Sequence, residues 1–367
     1  MAESTLKEAP AAASAKAPLV VDMDGTLLKT DTLFEGLAAS LFRRPFATVA
    51  ACLAIVRGKA AMKARLADLC LPDTESLPLN EAFVAYLRKE KAAGRPLHLV
   101  SAANERLARA VAAPLGLFET VEGSSATRNL KGAAKRAALE ARFPAGFSYA
   151  GDARADLAVW RGAKSAVLVS APRGVAAAAR ATGVAIEAEF PKERTRLKSW
   201  RAALRLHQWA KNGLLFAPLF LAHLYGDLQA ILSVLAAFVI MGVIASGTYI
   251  ANDLSDLAAD RRHRTKHRRP FAAGEIPVRT GLVIAPLMIA GGLVAAFALA
   301  PLFAWLALVY LAATLSYSFG LKRVPMLDVF ILGLLYTLRV LMGVAVLDVV
   351  LSPWLVAFGF FFFFSMS

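Results

Sequence analysis

Three oxygen-bearing side chains lie four residues apart in the sequence, Asn252, Asp256 and Asp260. On a helix, four residues turn about 40° and rise about 6 Å, so the three side chains would form one stripe. Two carboxylates and an amide oxygen suit Mg²⁺ held against a diphosphate. The basic run from Arg261 to Arg269 can bind remaining phosphate charge. The alternative is a solvated acidic helix end just outside a membrane span.

Short apolar runs bounded by turn signals predict the strands that position a second group of polar residues. These runs are Leu19–Val21, Leu97–Val100, Phe147–Ala150 and Ser165–Val169. They alternate with helical stretches, which predicts a parallel sheet with ligands at the carboxyl ends of its strands. Residues 33–88 look wholly helical and are too long for a simple crossover, so we expect a small cap inserted after the first strand.

The residues at these strand ends resemble the four motifs of the haloacid dehalogenase-like (HAD) phosphatases. The resemblance covers residues 18–190 and implies an α/β Rossmann-like domain with a small helical cap. Four motifs in the family's order are far more specific than a lone Asp-Gly-Thr turn. In chain order they are Asp22-Met23-Asp24-Gly25-Thr26, Ser101, Lys131 and Gly151-Asp152-Ala153-Arg154-Ala155-Asp156.

The resemblance implies a role for each of these side chains. Asp22 is the expected nucleophile that forms an aspartyl-phosphate, and Asp24 the expected general acid and base. Ser101 and Lys131 would hold the phosphoryl oxygens.

A metal site is implied by the same resemblance. Asp22, the Asp24 carbonyl and Asp152 would bind Mg²⁺, with Asp156 as a further ligand or a support. Asp156 has an alternative role, since an acid that opens a helix can simply favour its N-terminus.

Composition divides the chain into two halves. The 367 residues are 57% hydrophobic, with a mean hydropathy of +0.53, which is too apolar for an ordinary soluble enzyme. Long uncharged runs begin beyond Asn212. The net charge of +15 favours anionic lipid or phosphorylated substrates, and the sequence carries no recognised nucleic-acid motif. We expect a disordered tail at 1–17 and a basic juxtamembrane linker at 191–211, lying on an anionic membrane surface.

Apolar runs predict an all-α multi-span transmembrane bundle over residues 212–367. Runs at 231–251, 281–301, about 302–319 and about 329–347 are near the roughly 20 residues needed to cross a bilayer, and a last run starts near Trp354. Basic and non-basic loops alternate between them. The positive-inside rule then predicts a bacterial inner-membrane protein with its phosphatase-like half and the acidic stripe in the cytoplasm.

One charge, Arg339, lies well inside a predicted span. Such a residue usually faces a cavity or a charged ligand, although pairing with a polar group on another helix is an alternative. Lys211 and Asn212, at the start of the membrane half, are further candidates for substrate binding, with an interface anchor as the alternative for Lys211.

The spacing Asn252-x-x-x-Asp256-x-x-x-Asp260 resembles the first aspartate-rich motif of the UbiA prenyltransferase superfamily. The resemblance covers about 200–367 and implies Mg²⁺-dependent transfer involving a polyprenyl phosphate or diphosphate. It adds substrate-binding candidates in the basic segment after the motif and in a Tyr…Lys stretch typical of the phosphoribosyl-transferring branch. They are Lys266, Arg269, Tyr317, Lys322 and Asp328.

Taken together, the two resemblances predict a bifunctional membrane enzyme. The membrane half would transfer either a prenyl group to an acceptor or a phosphoribosyl group to polyprenyl phosphate, and the other half would act on a phosphorylated small molecule. The superfamily has a second aspartate-rich motif, whereas this sequence has none and about six apolar runs. We therefore expect a membrane domain that is incomplete at its C-terminus. The alternative function is a membrane-anchored phosphatase whose membrane half only binds or tethers.

Overall fold

The computed structural model describes residues 16–70, 72–125, 128–192, 197–319, 327–350 and 353–366. The chain divides into two compact units, Met1–Arg194 and Thr195–Ser367.

The N-terminal unit is built on a six-stranded sheet in which every neighbouring pair of strands is parallel. The strand order is β3-β2-β1-β4-β5-β6, so the first strand lies centrally and the chain winds outward to both sides. This confirms the predicted parallel sheet. The strands are β1 Leu19–Val21, β2 Leu97–Asn104, β3 Thr120–Ser124, β4 Ser148–Gly151, β5 Ser165–Val169 and β6 Ala185–Phe190.

Both faces of the sheet are buried, which explains why its central strands read as continuous apolar runs. Leu19 and Val21 belong to one core cluster, and Val20 between them belongs to the other. Successive strand side chains point to opposite faces, so three residues of β1 contribute to two cores. The helices between the strands are α4 Glu81–Ala92, α5 Glu105–Ala112, α6 Ala133–Arg142, α7 Leu157–Trp160 and α8 Arg173–Ala181.

The segment after β1 is helical, as the sequence predicts. It contains α1 Thr32–Arg43, α2 Pro45–Leu53, a 3₁₀ turn at Ala54–Arg57 and α3 Lys59–Leu69. The next helix, α4, buries Phe83, Val84 and Leu87 in the same cluster as Leu19, so it covers the sheet and does not extend the cap. We therefore assign the cap to α1–α3, which shortens the predicted range of 33–88.

The C-terminal unit is wholly helical in the residues described. It opens with α9 Leu197–Ala203, a 3₁₀ segment at Leu206–Phe216 and α10 Ala217–Leu221. Longer helices follow: α11 Leu228–Ser255, α12 Leu257–Arg262, α13 Val278–Leu299, α14 Pro301–Phe319, α15 Leu327–Leu347 and α16 Pro353–Met366. Of the described residues, Leu228–Ser255, Val278–Leu299 and Val329–Leu347 are long and apolar enough to cross a bilayer, and Pro301–Tyr317 is a shorter apolar helix.

Close packing between α11 and α13 depends on glycine. A Cβ added at Gly292 would lie 2.5 Å from a side-chain carbon of Ile244, and one added at Gly247 would lie 3.0 Å from the Ala285 carbonyl oxygen. Small residues let helices approach closely where lipid supplies no hydrophobic driving force between them. This contact fixes the lower part of α11, and so the acidic stretch that follows it.

Candidate functional site

Parallel pairing brings the predicted acids to one edge of the N-terminal sheet. Val21 is in register with Leu99 on one side and with Ala150 on the other. Asp22, Ser101 and Asp152 therefore follow these aligned residues at the carboxyl ends of three adjacent strands. The Asp22 N–H donates to the Ala150 carbonyl at 3.0 Å, which holds the first acid against the third strand.

Three carboxylates converge at this edge. One oxygen from each of Asp22, Asp152 and Asp156 lies within 4.8 Å of the other two, and the described residues contain no second such group of acid, histidine or cysteine side chains. Burial and the charge of Asp22 raise the pKa of Asp152 to about 8. The same two causes raise the pKa of Asp156 to about 6. A donor set of this kind, buried and mutually repelling, fits a hard divalent cation such as Mg²⁺.

The turn after β1 is shaped by close approach to one of these acids. Gly25 has φ of +76°, a conformation that favours glycine, and a Cβ there would lie 2.3 Å from Asp152 Oδ2. Thr26 is buried, and its hydroxyl donates to Asp152 Oδ1 at 3.4 Å. The Asp-Gly-Thr sequence thus contributes a tight backbone path and a hydrogen-bond donor at the acidic cluster.

Asp24 is oriented toward the cap. Its Oδ1 accepts a hydrogen bond from the Thr32 N–H at 2.9 Å, at the start of α1. Burial, followed by the charge of Asp31, raises the pKa of Asp24 to about 7. A carboxyl group with this pKa can both give and take a proton near neutral pH.

A lysine that sequence reasoning missed completes the cluster. Lys135 is buried, and its Nζ lies 3.0 Å from Asp22 Oδ1 and 2.9 Å from the Tyr149 hydroxyl. That hydroxyl donates to Asp156 Oδ1 at 2.9 Å. The predicted Lys131 lies in the loop before α6 with an exposed side chain, and the structure does not bring it to Asp22.

Ser101 and Asp156 also lie where their motifs place them. Ser101 is buried in β2, where the register with β3 shifts, and its hydroxyl accepts from the Ala103 N–H at 3.1 Å. Asp156 Oδ2 accepts from the N–H groups of Asp152 and Ala153, at 3.2 and 2.9 Å. Asp156 thus both joins the carboxylate cluster and holds the loop that carries Asp152.

A cavity of about 30 Å³ lies between the cap and the sheet beside Asp24. Lys63 enters it from α3 and donates to the Ala102 carbonyl at 3.1 Å. Leu33, Leu66 and Leu107 give it an apolar lining. A cap residue with a positive charge beside the carboxylates is a further candidate for contact with a phosphorylated substrate.

In the C-terminal unit, the predicted acidic stripe is broken but keeps its spacing. α11 ends at Ser255 and α12 begins at Leu257, with Asp256 between them. The Asp256 N–H still donates to the Asn252 carbonyl at 3.0 Å, and the Asp260 N–H to the Asp256 carbonyl at 2.8 Å. Asn252 Nδ2 lies 3.4 Å from Asp256 Oδ2, so these two side chains are neighbours.

Asp260 makes a different contact from the other two members of the stripe. It is buried and forms an ion pair with Arg269, Nη1 to Oδ2 2.6 Å. The same Nη1 lies 3.2 Å from Oδ1 of Asp253, a buried acid that also pairs with Arg205. Arg269 was predicted to bind substrate, and in this structure it joins two acids of α11 and α12.

Arg339 is buried inside α15 and is bound by neutral groups. Its Nε donates to Asn212 Oδ1 at 3.0 Å, its Nη1 to the Leu335 carbonyl at 2.7 Å and its Nη2 to the Tyr310 hydroxyl at 2.9 Å. No carboxylate of the described residues lies within ion-pair distance of it. Asn212 Nδ2 is buried without a hydrogen-bond partner in the described part of the chain.

Aromatic rings line the space around this arginine. The guanidinium carbon lies 4.9 Å from the ring centre of Tyr310 and 5.5 Å from that of Tyr336. Lys211 Nζ lies 5.9 Å from the Tyr336 ring centre. A buried cation without a counter-ion, beside an unpaired amide N–H, favours an anionic ligand at this position.

Comparison with known proteins agrees with this division. Residues 19–161 match the family profile of the haloacid dehalogenase-like hydrolases, and residues 214–367 match that of the UbiA prenyltransferase family. The chain is 42% identical to the Sinorhizobium fredii protein named uncharacterized protein y4nM over 352 residues, which are 96% of this chain and 68% of that protein.

The chain belongs to the family of y4nM, a fusion of a HAD-like hydrolase with a UbiA-family domain.

Further relatives match the UbiA half. It is 35% identical over 164 residues to decaprenyl-phosphate phosphoribosyltransferase of Mycobacterium tuberculosis, covering 43% of this chain. The chain spans 54% of the length of that relative. A solved UbiA homologue of Archaeoglobus fulgidus, bound to DMAPP and Mg²⁺, is 22% identical with a TM-score of 0.41, over 46% of this chain and 61% of that one.

The remaining predicted residues of the UbiA half are scattered. Lys266 is exposed in a 3₁₀ turn at Lys266–Arg268, and Tyr317 packs half-buried against the apolar core of the helices. Lys322 lies outside the described residues, as does the side chain of Asp328 in α15. Asp253, Arg205, Tyr310 and Tyr336 were not singled out from the sequence, although a buried acid three residues into the motif is a recognisable signal.

Proposed function

We propose that the HAD half hydrolyses a phosphomonoester through an aspartyl-phosphate on Asp22, and that the UbiA half uses a polyprenyl phosphate or diphosphate in a transfer reaction. The observation that carries the first part is the buried cluster in which Lys135 contacts Asp22 beside Asp152 and Asp156. A nucleophilic carboxylate, a fixed cation and further carboxylates at one sheet edge are the groups that phosphoryl transfer requires.

In the first step, an Asp22 carboxylate oxygen attacks phosphorus and the bond from phosphorus to the ester oxygen breaks. The leaving oxygen takes a proton from the Asp24 carboxyl group, so the product is a neutral alcohol. The Lys135 ammonium is placed to offset negative charge on the phosphoryl oxygens as they move toward Asp22. Ser101 would donate its hydroxyl hydrogen to one of the same oxygens.

In the second step, Asp24 takes a proton from water as that water attacks the phosphorus of the aspartyl-phosphate. The bond between phosphorus and Asp22 breaks, which releases phosphate and restores both carboxyl groups. A raised pKa of about 7 suits Asp24 to both proton transfers. Its hydrogen bond with the Thr32 N–H links this residue to the position of the cap.

Asp22, Asp152 and Asp156 would hold the Mg²⁺ that the resemblance implies. Bound there, a divalent cation supplies positive charge that offsets the phosphoryl oxygens and relieves repulsion among the three carboxylates. Thr26 and Tyr149 would keep Asp152 and Asp156 oriented, because each hydroxyl donates to one of these acids.

For the UbiA half we propose phosphoribosyl transfer to polyprenyl phosphate, which the similarity to a decaprenyl-phosphate phosphoribosyltransferase supports. A lipid phosphate oxygen would attack the sugar carbon that carries the diphosphate, and the diphosphate would leave. Arg339, Asn212 and Lys211 would bind a phosphate of one substrate. Asn252 and Asp256 would contribute oxygen ligands for Mg²⁺ against the leaving diphosphate.

The two activities have a simple chemical relation under this proposal. The transfer product would be a lipid-linked sugar that still carries a phosphomonoester, and the HAD half would remove that phosphate. Both reactions need a common side of the membrane. The alternation of basic and non-basic loops supports a cytoplasmic position for both sites in a bacterial inner membrane.

A specific observation favours a second candidate, a membrane-anchored phosphatase whose UbiA half binds lipid without catalysing transfer. Arg269 pairs with Asp260, one of the three members of the acidic stripe. An acid engaged by arginine offers fewer oxygen lone pairs to a metal. Prenyl transfer to an acceptor is the other reaction class that the fold supports.

The first test addresses the HAD half. The full chain, purified in detergent, is assayed for phosphate release from phosphomonoesters with and without Mg²⁺. We expect Mg²⁺-dependent release that Asp22→Asn abolishes. Release that persists in Asp22→Asn would contradict the nucleophile assignment.

The second test addresses the UbiA half. Membranes that contain the protein are incubated with labelled phosphoribosyl diphosphate and polyprenyl phosphate, and the lipid fraction is analysed. We expect a labelled lipid. A product formed instead from a prenyl diphosphate and an aromatic acid would refute phosphoribosyl transfer, and no lipid product with either pair would favour the anchored phosphatase.

A further inference from the structure

The cap exposes a row of large apolar side chains. In α2 these are Phe46, Val49 and Leu53, which are 90, 56 and 66% exposed, and Val56 in the following 3₁₀ turn is 89% exposed. Positions 46, 49 and 53 are spaced i, i+3 and i+7, so they lie on one side of the helix. We call these four residues the cap face.

The cap face is held outward by the rest of the cap. Thr48 and Ala51, on the opposite side of α2, are buried, as is Ala54 in the 3₁₀ turn. The helix is therefore apolar on the packed side and on the outer side. A soluble domain rarely exposes a contiguous row of large apolar side chains unless that surface meets a partner or a membrane.

The charges around the cap face have one sign. Between Glu35 and Asp68 the sequence has six basic residues and no acid: Arg43, Arg44, Arg57, Lys59, Lys63 and Arg65. Arg43 and Arg44 immediately precede α2 and are exposed. Large apolar residues beside basic ones are typical of helices that lie in the interface of an anionic bilayer.

We propose that the cap face lies in the headgroup region of the membrane that the C-terminal half spans. Phe46, Val49, Leu53 and Val56 enter the apolar boundary, and Arg43 and Arg44 contact lipid phosphates. Pairing of two copies through this face is disfavoured, because it would bring basic residues of both copies together. Lipid is also present at high local concentration around a chain with its own membrane helices.

This placement has a consequence for access to the carboxylate cluster. α1–α3 form one wall of the cavity beside Asp24, with Leu33 and Leu66 among its lining residues. A cap seated on the bilayer would therefore present this cavity to phosphates carried at the membrane surface. The docking itself does not depend on the proposed phosphatase activity.

The test measures depth in the bilayer, with the full chain in liposomes that contain anionic lipid. Cys52 and Cys70 are first replaced by serine. A single cysteine is then introduced as Val49→Cys or Leu53→Cys and carries a nitroxide label. Ala177→Cys, at an exposed position on α8, is the matched control. Accessibility to oxygen and to a water-soluble nickel chelate is compared by electron paramagnetic resonance.

We expect the labels at positions 49 and 53 to be accessible to oxygen and shielded from nickel, and the label at 177 to show the reverse. Adding Arg43→Gln and Arg44→Gln should shift both cap labels toward nickel accessibility. Nickel accessibility at 49 and 53 equal to that at 177 would overturn the proposal. Exclusion of both reagents, or spin–spin broadening that unlabelled protein removes, would instead indicate a protein partner or a second copy and would also overturn it. Unchanged thermal unfolding verifies that each variant is folded.

Discussion

Lys135 Nζ lies 3.0 Å from Asp22 Oδ1, and both groups are at the centre of the HAD half. The lysine comes from the first turn of α6 and the aspartate from the end of β1, so the contact joins elements that are more than a hundred residues apart in sequence. Tyr149 extends the contact to Asp156 through two hydrogen bonds. The position of this ammonium group, more than any single motif, determines where a phosphoryl group can bind.

The two candidate lysines can be separated by substitution. We expect Lys135→Met to lower kcat for phosphate release by about 100-fold or more, because a charge that stabilises the transition state is lost. Lys131→Met should change kcat by less than about threefold, since its side chain is exposed and away from Asp22. Steady-state kinetics on the full chain measures both. The reverse order of effects would return the catalytic role to Lys131.

Gly25 offers a test of the close approach to Asp152. Gly25→Ala should destabilise the HAD half and abolish phosphate release, because φ is +76° and the added Cβ would lie 2.3 Å from Asp152 Oδ2. Gly94→Ala is the matched control, with φ of +80° and no atom within 4 Å of its Cβ. The control should lose about 1 kcal/mol of unfolding free energy from backbone strain alone and keep its activity. Equal losses of activity in the two variants would show that contact with Asp152 is unimportant.

Repulsion among the three carboxylates predicts an unusual response to metal. Without Mg²⁺, Asp152→Asn should unfold at a higher temperature than the wild type, because one of three acids within 4.8 Å is neutralised. Added Mg²⁺ should raise the unfolding temperature of the wild type and leave that of the variant unchanged, since ligand binding stabilises only the folded state that binds it. Thermal scans of the full chain with and without a chelator measure this.

Glu140→Gln is the control for that experiment. Glu140 is exposed on α6 and pairs with Arg136 one turn away. The variant should follow the wild type within about 0.5 kcal/mol and keep its response to Mg²⁺, because exposed ion pairs contribute little. An Asp152→Asn variant that Mg²⁺ still stabilises to the wild-type extent would rule out this carboxylate as a ligand.

Arg339 predicts the location of an anion in the UbiA half. Arg339→Met should raise KM for the phosphorylated substrate by about tenfold or more, since a buried charge-assisted contact is lost. Arg339→Lys should recover only part of this effect, because a lysine cannot make the separate contacts of a guanidinium with Asn212 and Tyr310. The label-transfer assay with membranes measures KM.

Arg268→Met is the control for Arg339, because Arg268 is exposed at the end of a 3₁₀ turn. It should leave KM within about twofold of the wild type. A normal KM in Arg339→Met, with a lowered unfolding temperature, would show that this arginine has a structural role only.

Local patterning determined much of this protein from the sequence. Apolar runs ending in Asp22 and Asp152 predicted strands of a parallel sheet, because both faces of such a sheet are buried and its carboxyl edge collects polar groups. The membrane helices followed from composition, since only long apolar runs can cross a bilayer. Periodicity also held a signal that was overlooked: Lys135 and Leu139 are one turn apart on the buried face of α6.

Contacts between distant segments were decided only by the tertiary structure. The sequence predicted Asn252, Asp256 and Asp260 as one stripe, and their backbone spacing is preserved. It did not predict that Arg269 would fold back onto Asp260 and Asp253, because that pairing depends on the path of the chain after α12. Likewise, spacing alone could not choose between Lys131 and Lys135: a difference of four residues at the start of a helix separates a solvated ammonium group from one buried against Asp22.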